Sequence, residues 1–287
     1  MRRRTFLQSL GVATAASLVQ PARAFSLSSG MPSARTRLSR IGLELYSVRK
    51  AMRLDPERTL AAVRAAGYDD VELLWSFKNF DRTPQQVRAT LDQEGLKAPS
   101  AHMGAETILT DWERRLDDAR VLGQEYVIVA GLPASTSKTL DDWRMWADRF
   151  NTAGATARKA GAWLAFHNEP GYTKPMDGGV PYDVFVTRTD PKVVRLQLDI
   201  GNMTMGGGDP MQYLKRYRER YWSFHVKDVA PDRRSDTDLG TGTVNLRQLL
   251  AQVPEIQKKP CFVEQEGPSD EMAAARRNSA YLRALEF

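Results

Sequence analysis

Short β-branched apolar runs alternate with capped helical stretches eight times between residues 40 and 287, and no other feature constrains the fold of this chain as tightly. The runs are Ile41–Tyr46, Asp70–Leu74, Leu96–Ala101, Tyr126–Ala130, Trp163–Phe166, Val194–Leu198, Trp222–Val226 and Cys261–Val263. Their near-continuous apolar character is that of strands buried on both faces of a parallel sheet. Between them, Asp55-Pro56 and Thr83-Pro84 read as an N-cap followed by proline at the first helical position. Gly67, Gly95, Gly123 and Gly161 stop helices, Asn245 caps a later one, and the last helix spans about 270–285. Eight such units in ~245 residues predict an α/β protein of the (β/α)8 TIM-barrel class, with one catalytic domain over 40–287. A doubly wound open sheet is the runner-up. It wants a glycine-rich phosphate turn after the first strand, and Leu43-Glu44-Leu45-Tyr46-Ser47-Val48-Arg49 has no glycine.

The formal net charge of +6 suggests a nucleic-acid partner until its source is traced. Residues 1–24 read as a twin-arginine-type signal peptide: Arg3-Arg4-Thr5-Phe6-Leu7-Gln8, a weakly apolar stretch, then Ala22-Arg23-Ala24 as a cleavage site. Cleavage after Ala24 removes four arginines and no acid, so 41 Lys+Arg less 4 leaves 37 against 35 Asp+Glu, near +2. Export, ending in the periplasm, is the expected localisation. Residues 25–39, rich in Ser, Arg, Gly and Pro, read as a linker. A single cysteine, Cys261, excludes an intramolecular disulfide and a Cys-rich metal site. Apolar runs fall short of the roughly 18 residues of a membrane span, so stable membrane anchoring is not expected.

In a barrel of this class chemistry collects where strands end, at the C-terminal face. The first strand carries Glu44 there and the second Glu72, with Trp75 just beyond. The third ends at His102, the fifth at His167-Asn168-Glu169, and the sixth at Asp199. The seventh gives His225-Val226-Lys227-Asp228 and the eighth Glu264-Gln265-Glu266. The chain has only three histidines, and all three occupy such positions. Strands five to eight therefore offer Glu, Asp, His and Glu at adjacent ends. Three carboxylates and an imidazole make a hard, oxygen-rich pocket for one divalent metal ion, Mn²⁺ first, with Mg²⁺, Co²⁺, Zn²⁺ or Fe²⁺ admissible. The alternative is carboxylates paired with arginines; burying three acids without a cation is costly.

At these residues the chain resembles the xylose isomerase-like TIM-barrel superfamily, the sugar phosphate isomerase/epimerase group. Gly42–Arg49, His167-Asn168-Glu169, Leu198-Asp199, His225–Asp228, Gly240-Thr241-Gly242-Thr243-Val244 and Val263–Glu266 carry the likeness, over roughly 40–285. The resemblance implies a metal held by Glu169, Asp199, His225 and Glu264. It departs from many relatives at one point: their His-Asn-His after strand five is here His167-Asn168-Glu169, so His167 competes with Glu169 as the fifth-strand ligand. Glu266 likewise competes with Glu264.

The expected reaction is proton abstraction next to a carbonyl of a small-molecule sugar, with the metal stabilising the enediolate. Glu169 and Glu264 would act as acid and base, and Lys227 would polarise the carbonyl unless it only pairs with Asp228. His102 and His167 would meet hydroxyls or shuttle protons; Glu44 and Glu72 would bind hydroxyls, and Trp75 would stack on the sugar. Reprotonation gives isomerisation or epimerisation, ranked slightly ahead; elimination from a 3-keto-glycoside makes a lyase, the runner-up. Export argues for an unphosphorylated substrate. A DNA-repair endonuclease would need more histidines and more positive charge. A non-catalytic sugar- or metal-binding protein is the alternative of another class, and homo-oligomer formation is left open.

Overall fold

The computed structural model describes residues 36–287. The expected signal peptide and most of the expected linker lie outside the described residues. Of the linker, Thr36–Ser39 lie against the barrel: Thr36 and Phe287 exchange backbone hydrogen bonds, and Leu38 is buried.

Eight parallel strands close into a barrel in chain order: Gly42–Glu44, Asp70–Leu74, Lys97–Met103, Tyr126–Val129, Trp163–His167, Val194–Asp199, Tyr221–Val226 and Cys261–Val263. Closure is made by the first strand, whose Gly42 and Leu43 register with Phe262 and Val263 of the eighth. Helices cover the outside, so the fold is the (β/α)8 TIM barrel expected from the alternation.

Local chemistry explains the helix ends. Thr83 and Gln86 form a reciprocal capping box opening Pro84–Glu94, and Gly95 closes that helix in the left-handed region at φ 67°. A second capping box, Thr139 with Asp142, opens Leu140–Lys159. That helix buries Trp143, Trp146 and Phe150. Phe150 meets Phe166 and Phe185 edge to face at centroid distances of 5.4 and 4.9 Å. Met145, on the same helix, packs against that core and is partly buried.

Two departures from the expected boundaries bear on the site. The first strand ends at Glu44 rather than Tyr46, because the Glu44 carboxylate accepts from Tyr46 N at 2.8 Å and turns the chain into the 3-10 segment Leu45–Val48. The third, fifth and sixth strands each run further than expected, so that His102, His167 and Asp199 belong to the strands and share their rigidity. After the second strand, Trp75–Phe77 forms a 3-10 turn, and Lys78–Asp81 follows with four consecutive left-handed residues.

The segment after the seventh strand is ordered around Asp228. Its buried carboxylate accepts from the backbone of Val229 (2.8 Å), Val244 (3.1 Å), Gly240 (2.9 Å) and Gly242 (3.0 Å). This accounts for the Gly240-Thr241-Gly242 motif. Gly240 has φ +83°, and a Cβ on Gly242 would meet Asp228 Oδ1 at 2.2 Å. The charged stretch up to Leu239 makes a two-residue ribbon, Asp228–Val229 with Asp236–Thr237.

Candidate active site

His167, Asp199, His225 and Glu264 stand within one residue of the ends of strands five to eight, and each offers a ligand atom within 4.8 Å of the others. All four are buried. Asp199 and His225 are neighbours by register on the sixth and seventh strands. His225 Nδ1 lies 2.7 Å from Glu264 Oε2 and 3.7 Å from Asp199 Oδ2. His167 Nδ1 points at the Ala130 carbonyl, 2.9 Å away. A carbonyl only accepts, so Nδ1 carries the proton and, in the neutral ring, Nε2 presents a lone pair. That atom faces Asp199 Oδ2 at 3.4 Å, and both are buried without a hydrogen-bond partner. Two electron-rich atoms facing one another in a dry pocket fit a bound cation, and an ordered outer-shell acceptor on the far ring nitrogen is the usual support of a metal-ligating histidine.

The structure does not bring Glu169 into this set. His167 is the last residue of its strand and projects into the barrel. Glu169 lies two residues on, where the chain has left the strand for the turn at Pro170-Gly171, and its side chain is 42% exposed. Its nearer oxygen is 3.9 Å from His167 Nδ1, and Asn202 Nδ2 donates to the other at 3.4 Å. The group that the fold gathers within 4.8 Å thus holds two imidazoles and two carboxylates, with His167 in it and Glu169 outside. Glu264 rather than Glu266 joins it; Glu266 sits at the mouth, 43% exposed, and accepts from Lys227.

Lys227 does not pair with Asp228, whose oxygens are filled by backbone N–H groups. It is fully buried, with Nζ 2.6 Å from Glu266 Oε1, 3.0 Å from Asn202 Oδ1, 3.2 Å from Glu264 Oε2 and 3.3 Å from Asp199 Oδ2. Gly201 makes room for it: a Cβ there would lie 2.4 Å from Lys227 Cγ. Burial opposes its charge, but Asp199, Glu264 and Glu266 outweigh that and raise its pKa well above the ordinary value. In return, against the cost of burial, Lys227 holds Asp199 well below the usual carboxylate range and Glu264 below it. Glu44 goes the other way: burial and the nearby Glu264 carboxylate raise it well above the ordinary value.

A cavity of about 340 Å³ opens onto this cluster, lined by Glu44, His102, His167, Glu169, Glu264 and Glu266 on its polar side. Tyr46, Leu74 and Phe77 form an apolar wall. Tyr46 and Phe77 meet edge to face at 5.9 Å, and the Arg49 guanidinium lies 4.0 Å over the Tyr46 ring. Trp75, expected to stack on substrate, instead lies buried beneath the turn it opens. Its ring faces Arg115 at 5.6 Å, and Phe77, two residues on, takes the cavity position. Glu72 is buried and does not line the cavity. Sequence reading missed Asn202, Gln197, Tyr46 and Phe77; Asn202 lies three residues past Asp199, which accepts from its backbone N–H, and that cap spacing was the one signal available.

The later strands of this (β/α)8 barrel converge two imidazoles and two carboxylates at its C-terminal mouth, a donor set that could hold a divalent metal ion. The chain belongs to the xylose isomerase-like TIM barrel family, whose model matches residues 60–285. It is 26% identical over 218 residues to an inosose dehydratase of Geobacillus kaustophilus (strain HTA426), covering 66% of this chain and 68% of that one. With an inosose dehydratase of Lacticaseibacillus casei it shares 25% over 193 residues, 60% of this chain and 63% of the other. A sugar phosphate isomerase/epimerase from Parabacteroides distasonis superposes with a TM-score of 0.75 at 24% identity, covering 88% of this chain and 96% of that one. An IOLI protein with a bound zinc atom does so at 0.67 and 15% identity, covering 86% and 99%. Among the described residues no helix is long and apolar enough to cross a membrane.

Proposed function

We propose that this chain is a divalent-metal-dependent enzyme that removes the proton next to a carbonyl of an unphosphorylated sugar or keto-sugar. The observation that carries the reading is the buried pair His167 Nε2 and Asp199 Oδ2, neither of them hydrogen bonded and only the Asp199 oxygen near a positive charge, Lys227 Nζ at 3.3 Å, within a four-residue cluster at the floor of a cavity. His167, Asp199, His225 and Glu264 would hold the ion. When bound, it would polarise substrate oxygens and offset the negative charge that develops on them. Two imidazoles in place of one soften the donor set, which brings Zn²⁺ and Fe²⁺ level with Mn²⁺.

The chain's own groups do the rest. Glu264, kept ionised by Lys227, takes the proton. Asn202 links Lys227 to Glu169, accepting from one and donating to the other, and so places a carboxyl beside the substrate as the acid. Lys227 reaches a substrate oxygen from the same side, while Tyr46 and Phe77 pack on the substrate's less polar face. Return of the proton isomerises or epimerises. Loss of a β-substituent, with Glu169 protonating it, eliminates. The inosose dehydratase relatives support elimination at least as well as isomerisation, because a dehydratase is a lyase by name.

The test is incubation in D₂O with a panel of aldoses, ketoses, 3-keto-sugars and cyclic polyol ketones, on chelated and metal-restored enzyme. Metal-dependent deuterium uptake without loss of water or glycosyl group identifies an isomerase, and uptake with an unsaturated product identifies a lyase. Glu264→Gln abolishes both. A chain that binds metal and sugar but exchanges no deuterium is a binding protein. Export by the twin-arginine route is proposed on Arg3–Gln8 and the Ala22-Arg23-Ala24 site; a periplasmic product starting at Phe25 is the expected outcome of N-terminal sequencing.

A further inference from the structure

Glu72 offers an observation that substrate binding does not use. It sits on the second strand, yet its carboxylate reaches across the barrel axis to the seventh. Glu72 Oε1 accepts from His225 Nε2 at 2.6 Å. Its other oxygen accepts from Ser100 Oγ at 2.5 Å and Gln197 Nε2 at 2.9 Å. Gln197 Nε2 also lies 3.2 Å from Oε1, and His102 Nε2 lies 3.0 Å from it. Gln197 is held in its turn, its Oε1 lying 2.7 Å from His102 Nε2. Glu72 is 0% exposed. Both oxygens are already engaged by protein donors, so a substrate hydroxyl has neither access nor a place to bond.

We infer that Glu72 is a positioning residue that fixes the ring of His225, with Nε2 bound to the Glu72 carboxylate and Nδ1 turned toward Asp199 and Glu264. The argument is one of direction. An imidazole on a strand end rotates about χ2, and a half turn puts Cδ2 where Nδ1 stood and Cε1 where Nε2 stood, which would take both nitrogens away from their acceptors. A fixed acceptor on one side removes that choice. Here the acceptor comes from across the barrel and is itself held by Ser100 and Gln197, on the third and sixth strands. Three strands thus brace one side chain of a fourth. A carboxylate behind a ligating imidazole also raises its basicity as a donor. The inference rests on the metal-centre reading given above.

The experiment measures Co²⁺ binding to the purified wild-type chain and to Glu72→Gln, by chelator competition and by the visible absorption of bound Co²⁺, with the metal-free melting temperature recorded for each. The expected result is a loss of Co²⁺ affinity of roughly 10- to 100-fold with an altered absorption band. A residue that only supports the fold would lower the melting temperature and leave affinity and band unchanged; that result overturns the inference. Should Glu72→Gln yield no folded protein, Ser100→Ala, which removes one donor from the same carboxylate, is read in its place. A few-fold weaker Co²⁺ binding is then expected, and equal binding overturns the inference. A wild-type chain that binds no Co²⁺ overturns the metal-centre reading itself, and the two failures are distinguished by the wild-type titration alone.

Discussion

His167 Nε2 and Asp199 Oδ2 face one another at 3.4 Å in the floor of the barrel mouth, both shielded from water and neither hydrogen bonded. An ion between such atoms binds the folded chain and not the unfolded one. Dialysis against a chelator is therefore expected to lower the melting temperature and abolish turnover. Returning the ion at a hundred times its dissociation constant restores about 2.7 kcal/mol of stability. Identical calorimetric melts with and without the ion, across Mn²⁺, Zn²⁺, Co²⁺ and Mg²⁺, would remove the ion from the site.

Lys227 is the cation that the metal-free chain already contains at this cluster, within 3.3 Å of both Asp199 and Glu264. Lys227→Met takes the ammonium from two buried carboxylates and leaves only His225 beside them, a change that costs about 3–5 kcal/mol when one partner of a buried pair is lost. The expected signature is a large drop in urea midpoint for metal-free protein, partly reversed by adding metal. A metal-free variant as stable as wild type would mean that the acids are protonated instead.

Asp228 serves the loop rather than Lys227. Asp228→Ala strands the backbone donors of Val229, Gly240, Gly242 and Val244, and even one unsatisfied buried group costs about 1–3 kcal/mol. The loop that follows the seventh strand should open first, seen as faster amide exchange confined to residues 229–244 at temperatures well below the melt. Unchanged exchange there would show that the glycine motif folds without its anchor.

Cys261 lies at the start of the eighth strand, and burial pushes its thiol up to about 12. The thiolate is the reactive form, and at pH 8 the native thiol stays protonated and enclosed. Iodoacetamide is expected to leave native protein unmodified for hours and to label it within minutes in 6–8 M urea (roughly the range that unfolds such domains). Rapid labelling of native protein, followed by mass spectrometry, would show that the strand opens locally.

The cavity wall distinguishes two aromatic residues that lie two positions apart. Phe77→Ala removes apolar surface from the cavity and is expected to raise KM about 10-fold with little change in kcat, the size of effect that a small apolar deletion produces in a binding pocket. Trp75→Phe, beneath the turn, is expected to leave KM alone and to lower the melting temperature. The reverse pattern in steady-state kinetics would return Trp75 to the cavity.

Much of this architecture was legible along the chain. The alternation of apolar strands with capped helices is a local property, written in Asp55-Pro56, Thr83-Pro84, Asn245 and the helix-ending glycines, and it specifies eight βα units without any knowledge of their packing. Strand ends were legible for the same reason, which is why Asp199, His225 and Glu264 could be placed together from sequence. Glu169 was placed with them because it is the acid at the end of the fifth run and the resemblance implies a glutamate from that strand. The strand stops at His167, however, and the chain turns away at Pro170.

What the chain order determined by itself is the barrel and the rim on which its polar residues stand, since both follow from short-range periodicity and capping. Only the tertiary structure decided which of them meet. Glu72 bonds His225 from 153 positions away, and Lys227 turns from its neighbour Asp228 into the space that Gly201 leaves. Such contacts are set by the tilt of closed strands and by where each loop departs. Those are properties of eight segments folded at once, and no window along the sequence contains them.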